Sequence, residues 1–220
     1  MTTMKRKRLS REDSRQLTAQ RLVEAAQRLV PRRGLDALSV EDIAEAAGYS
    51  RGAFYSNFKS KNDLFFEVLR QDEERTRAQL ATALDDALPP DQIQARMLQA
   101  YAALYKDADA FMTWTEGRML SVRDAKFRAR LTALMAERRD FAVKLLEYLY
   151  TRTGAVPSVP LEHLASGFIG LIEGVRLFGA SCPNEMPPEV AESILKLFAG
   201  AVLQQVMQPA GASSTRRRSG

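Results

Sequence analysis

Three side chains with strong anion chemistry lie close together in this sequence: the Arg51 guanidinium, the Tyr55 phenol and the Lys61 ammonium. The stretch that holds them, Ala46 to Asn62, contains no Asp or Glu. Arg presents a planar fork of donors suited to phosphate or a guanine edge, Lys a compact charge, and Tyr a hydroxyl on a rigid apolar body. Such a set holds anions. The groups that nucleophilic catalysis and metal binding need are scarce elsewhere, since His163 is the only histidine and Cys182 the only cysteine. No histidine-rich metal cluster, multi-base triad or intrachain disulfide can be assembled from them. Gly167, Gly170 and Gly174, in GFIGLIEG, lack the strand-turn-helix setting of a dinucleotide fingerprint and suit close helix packing instead. The chain is therefore expected to be no enzyme and to carry no cofactor and no metal.

Charge is distributed unevenly along the chain. The formal net charge is +5. Residues 1–61 carry thirteen Lys or Arg against seven Asp or Glu, an excess of six, while residues 62–220 carry nineteen against twenty. A basic segment beside a near-neutral remainder marks where a polyanion would dock. The sequence opens on MTTMKRKR, with no apolar stretch of the secretory kind, and no run is read as the roughly 18 uncharged apolar residues of a membrane span. A cytoplasmic protein with no membrane partner is expected.

The elements that must position these groups read as helices throughout. Apolar residues recur at three- and four-residue spacing, and no sustained period-two alternation is present. A first helix from Ser10 carries Leu17, Leu22, Ala25, Ala26 and Leu29 on one side and stops near Pro31 to Gly34. Short helices follow from Ser39 and Ser50, and a longer one starts at Ser60 and is expected to reach Leu88, before Pro89-Pro90. Further helices are expected near 91–106, 108–119 and 122–151, then at 161–181 and 188–207 after the loop TGAVPSVP. Residues 1–9 read as a basic disordered arm and 209–220 as a disordered tail.

Ser10/Asp13, Ser39/Asp42 and Ser60/Asp63 have capping-box spacing, in which Ser accepts from the third backbone N–H and the acid reaches back. The helix at Ser50 has Ala53 in that place. An acid near a helix start normally stabilises it by about 0.3 to 1 kcal/mol, so its omission here suits an approaching phosphate. Ala44 lies four residues before Gly48: the small residue lets the next helix cross closely, and glycine can take the positive φ of a tight turn. Arg51, Tyr55 and Asn57 are then expected to point outward.

The stretch RLVEAAQRLVPRRGLDALSVEDIAEAAGYSRGAFYSNFKSKNDLFFEVL, Arg21 to Leu69, resembles the TetR (tetracycline-repressor-like) regulators. Its AA-containing first helix, glycine before the second, I-A-x-x-A-G at the turn, Tyr and Phe in the third helix and F-x-S-K-x-x-L into the fourth occur in order. The resemblance implies an all-α fold of about nine helices. A three-helix DNA-binding domain would span 10–70, with its helix-turn-helix at about 39–58, and a larger helical effector and dimerisation domain would span 71–208. It implies a ligand-responsive repressor that binds a pseudo-palindromic double-stranded operator as a homodimer and is released by a small, apolar effector of unknown identity.

Carried onto this chain, the family's phosphate contacts would fall at Ser39, Tyr55 and Lys61. Base reading would fall on the helix that opens at Ser50, mainly to Arg51 and also to Gly52 and Asn57. The basic arm, Lys5 to Arg8, could reach DNA or remain solvated. Where relatives enclose ligands, this chain concentrates Tyr101, Tyr105, Phe111, Trp114, Met119 and Phe127. Glu173 and Arg176 are spaced to share a helix face, either as polar handles of that pocket or as an interface ion pair. The dimer face would use Leu164, Phe168, Leu171 and Val175 on one helix and Ile194, Phe198 and Val202 on the last.

Overall fold

The computed structural model describes residues 10–84, 87–89, 92–93, 95–96, 99–100 and 107–207. Among these the chain is all-helical: α1 (Arg11–Arg33), α2 (Val40–Ala46), α3 (Arg51–Tyr55), α4 (Lys61–Ala81), α5 (Ala108–Arg123), α6 (Ala125–Thr153), α7 (Leu161–Ser181) and α8 (Pro188–Met207). The helix expected near 91–106 lies largely outside the described residues, as do the arm, the tail, Tyr101 and Tyr105.

Side-chain caps decide where several helices start. Ser10 and Asp13 close a reciprocal capping box on α1, and Ser39 and Asp42 close another on α2. Ser60 Oγ accepts from the Asp63 N–H at 3.1 Å. Asp124 alone separates α5 from α6, its Oδ1 accepting from the N–H groups of Lys126 and Phe127 at 2.9 and 3.0 Å. The α5–α6 break therefore falls later than the expected 120–121. At the other end of α4, the Thr82 hydroxyl donates to the Gln79 carbonyl at 2.6 Å, and the main chain tightens to Ala83 N–H on Leu80 O. Such local back-bonding competes with the helical ladder. α4 accordingly ends at Ala81 rather than at Leu88.

The chain divides into two compact units, one formed by residues up to Asp72 with Ala108–Leu131, the other by Glu73–Asp107 with residues from Thr132 on. The division falls inside α4 and α6. α5 and the start of α6 belong to the same compact unit as the N-terminal helices. The first unit's core joins Leu22, Ala26, Ile43, Phe54, Phe65 and Leu69. Phe127 stacks on Phe65 at 5.9 Å and meets Phe66 edge-on at 6.0 Å. Trp114 is buried there too, its indole N–H donating to Asp72 Oδ2 at 2.7 Å.

In the second unit Leu80, Ala83, Ile93, Leu145, Leu149, Tyr150 and Ala155 make one apolar cluster, and α8 packs on α7. Glu73 is 2% exposed and faces Arg138 at 2.5 Å and Arg77 at 3.7 Å. Burial of that carboxylate is tolerable because those guanidiniums answer its charge. α7 is long and apolar enough to cross a membrane by length and composition, although Glu162, Glu173 and Arg176 interrupt its apolar run. Two of its charged groups are tied within this unit, Glu173 facing Arg138 at 3.7 Å and Arg176 donating to the Asp107 carbonyl at 2.5 Å.

Two stability predictions follow from these contacts. A Cβ at Gly117 would stand 2.7 Å from Leu69 Cδ1, a fully buried atom group with little room to yield. Gly117→Ala should lower the unfolding free energy by about 1 to 3 kcal/mol, the usual cost of overpacking, measured by urea denaturation. Asp42 has its carboxyl held down at about 2, against an ordinary 3.8, by the Ser39 hydroxyl, the Ser39 N–H and Arg33. A depressed pKa stabilises the fold above 3.8 and loses that contribution as pH falls toward 2. Asp42→Asn should therefore be less stable than the parent at neutral pH and converge with it between about pH 4 and 2 in thermal scans.

Candidate nucleic-acid interface

One turn sets the geometry of the α2–α3 pair. Gly48 has φ +79°, the Gly48 N–H bonds to Glu45 O at 2.9 Å, and the Tyr49 N–H bonds to Ala44 O at 2.8 Å. This is the Schellman arrangement, in which a left-handed residue turns the chain while capturing the last helical carbonyls. Nothing stands within 4 Å of a Cβ built at Gly48. Backbone conformation, not space, is what glycine supplies there. Ile43 and Ala44 of α2 and Phe54 of α3 are buried below the turn.

α3 is short. Ser50 caps it, accepting from the Ala53 N–H at 3.3 Å, and no acid stands in its first turn. Burying Phe54 turns its neighbour outward, so Tyr55 is 49% exposed, with its ring edge-on to Phe54 at 5.4 Å. Arg51 and Gly52 are also exposed. The Arg51 guanidinium lies 5.5 Å from the centre of the Tyr55 ring, and its Nη1 is 2.7 Å from Glu41 Oε1. The segment free of acid in sequence is therefore not free of acid in space, because α2 brings Glu41 across the turn. Local sequence holds no signal for that contact.

Lys61 and Asn57 have duties that sequence reasoning missed. Lys61 Nζ donates to the carbonyls of Leu35 and Leu38 at 2.6 and 2.7 Å, bracing the α1–α2 loop. Asn57, expected to point outward, is half-buried and donates to the Ala53 carbonyl at 2.8 Å, satisfying the end of α3. It faces an open groove of about 320 Å³ beside α1, with Glu12, Gln16 and Glu67. Ser39 accepts from the Asp42 N–H and its hydroxyl lies against the Asp42 carboxylate. Arg51 and Tyr55 are left exposed, as are Ser50, Gly52, Ser56 and Lys59.

The described residues among those expected to line an effector pocket fall in both units. Trp114 and Phe127 are core residues of the first unit, where Phe111 is half-buried and Met119 is 49% exposed. Glu173 and Arg176 belong to the second unit. The second unit also holds a polar group that went unnoticed, the Tyr150 hydroxyl, buried within the apolar cluster with no hydrogen-bond partner among the described residues. Burial pushes that phenol's pKa up. Of the expected interface residues, Val175 is buried and Leu164, Phe168, Leu171 and Ile194 are half-buried, while Phe198 is exposed and the Val202 side chain lies outside the described residues. Leu177, Phe178, Val190 and Leu197 extend the exposed apolar surface of α7 and α8.

Residues 22–68 match the model of the family described as bacterial regulatory proteins, tetR family. A Mycobacterium tuberculosis relative, the HTH-type transcriptional repressor Rv1474c, is 32% identical over 48% of this chain and 60% of its own length. The chain spans about a quarter of the length of two further curated relatives, HTH-type regulators of Bacillus subtilis and Shigella flexneri that are 44% and 45% identical over the matched stretch. The fold is that of a TetR-family regulator from Rhodococcus sp., with TM-score 0.71, 22% identity and coverage of 88% and 100% of the two chains. It is also that of a transcriptional regulator from Saccharomonospora viridis in complex with choline, with TM-score 0.69, 19% identity and coverage of 83% and 95%. A glycine-turned helix pair thus lies inside the segment that matches the tetR-family model, and the described residues share the all-helical fold of these regulators.

Proposed function

We propose that the chain is a cytoplasmic, non-catalytic transcriptional repressor that binds a pseudo-palindromic operator as a homodimer and leaves it when a small molecule binds. The observation that carries the reading is the exposure of Arg51 and Tyr55 on α3, behind a buried Phe54 and a Gly48 turn, inside the family-matched segment. In this mechanism α3 enters the major groove. Arg51 donates to a guanine edge, Tyr55 donates its hydroxyl to a phosphate, and Ser39 and Ser50 approach the backbone beside it. Lys61 keeps its place on the Leu35 and Leu38 carbonyls, so its contribution to DNA affinity runs chiefly through the shape of the α1–α2 loop.

Pairing of two copies rests on the apolar residues left exposed on α7 and α8, including Leu197 at 69% and Phe198 at 50%. Contiguous apolar surface of this kind suits an isologous contact between identical chains, which would set two recognition helices about 34 to 36 Å apart. Effector control rests on Tyr150. A buried donor without a partner costs stability, and an apolar ligand bearing one acceptor would satisfy it. Choline in the Saccharomonospora viridis protein is a precedent for a small molecule in this fold.

Mobility shifts with duplexes selected from a randomised pool test the DNA reading. Arg51→Ala should relax preference at one base pair by about 1 to 3 kcal/mol, whereas Tyr55→Phe should weaken all duplexes alike; equal losses on selected and random DNA for both variants would refute the assignment. Sedimentation tests the pairing. Leu197→Asp with Phe198→Asp should convert a dimer to a folded monomer, and a dimer unaffected by both changes would place the interface elsewhere.

A further inference from the structure

We infer that Glu41 is a specificity-determining residue: it cancels the charge of Arg51 while leaving that guanidinium able to hydrogen-bond to a base edge. The inference rests on the proposed DNA reading. Glu41 stands in the first turn of α2, its side chain 53% exposed against 64% for Arg51, with 2.7 Å between Oε1 and Nη1. The Tyr55 ring lies at 5.5 Å from the same guanidinium. The other acid of that turn, Asp42, is engaged with Ser39 and Arg33. Glu41 is thus the carboxylate that answers Arg51.

Guanidinium has five N–H donors in a fixed fork. A carboxylate at Nη1 leaves Nη2 and Nε to donate, and those two are enough for the bidentate pair with guanine O6 and N7. What the carboxylate removes is net charge. A bare Arg at the tip of a recognition helix would attract any phosphate, and every phosphate neutralised adds sequence-independent affinity through released counterions. Paired with Glu41, Arg51 gains little from a phosphate that the carboxylate also repels, yet loses nothing toward a neutral base edge. The pair therefore lowers random binding more than operator binding. Glu41 acts through Arg51 and is a positioning residue.

The test uses the full chain with two duplex probes, one selected by the parent protein from a randomised pool and one of random sequence. Glu41→Gln keeps the side-chain shape and removes the charge. It should raise affinity for the random duplex by about eightfold at 0.1 M salt, steepen the salt dependence by about one ion, and raise selected-duplex affinity less. The ratio of the two affinities should fall. Glu45→Gln, an exposed acid on the same helix, changes net charge equally and should leave the ratio unchanged. In an Arg51→Ala background, Glu41→Gln should shift both duplexes alike. An unchanged ratio for Glu41→Gln, or the same loss of ratio from Glu45→Gln, would overturn the inference while leaving the DNA reading intact. If the parent enriches no sequence, the DNA reading itself fails and takes the inference with it.

Discussion

The left-handed backbone at Gly48 is the constraint on which the α2–α3 pair depends. With the Ala44 and Glu45 carbonyls captured by the next N–H groups, the chain reverses in a few residues and α3 leaves at a fixed angle. That angle lets Phe54 bury against Ile43 and Ala44, and burial of Phe54 in turn aims Tyr55 and Arg51 outward. A side chain with a Cβ would meet no neighbour at Gly48, yet it would resist the φ. The whole arrangement thus rests on a local torsion, with packing following from it.

A second brace works over a longer range. Lys61 opens α4, yet its ammonium ends on carbonyls of the α1–α2 loop, more than twenty residues earlier in the chain. Loop carbonyls that no helix satisfies are expensive to leave unpaired, and a cation with three donors answers two of them together. The loop carries Leu35 and Leu38 into the core and ends at the Ser39 cap. One side chain at the start of α4 thus braces the loop that joins α1 to α2.

Much of this was legible from residue order. Ser10/Asp13 and Ser39/Asp42 announced their capping boxes, Gly48 its turn, and the apolar spacing of α7 and α8 their full extents. These features are local, decided by partners a few residues apart. What sequence missed was decided by partners brought together by folding. The acid-free run from Ala46 to Asn62 says nothing about Glu41, which crosses the turn to reach Arg51. Asn57 looked like a free polar group because its partner, the Ala53 carbonyl, exists only once α3 has ended. Large apolar residues such as Trp114 and Phe127 read alike whether they line a ligand cavity or fill a core. Only their contacts with Asp72 and Phe65 decide for the core.

Trp114 is the chain's single tryptophan, and its indole N–H is spoken for by Asp72, the last residue of the first unit within α4. Its light emission therefore originates at one known spot, in an apolar shelter with a single carboxylate at the polar end of the ring. Water reaching that spot would redden the emission, while rearrangements remote from it would pass unrecorded. The protein thus carries a native optical gauge inside its first unit, with no label required.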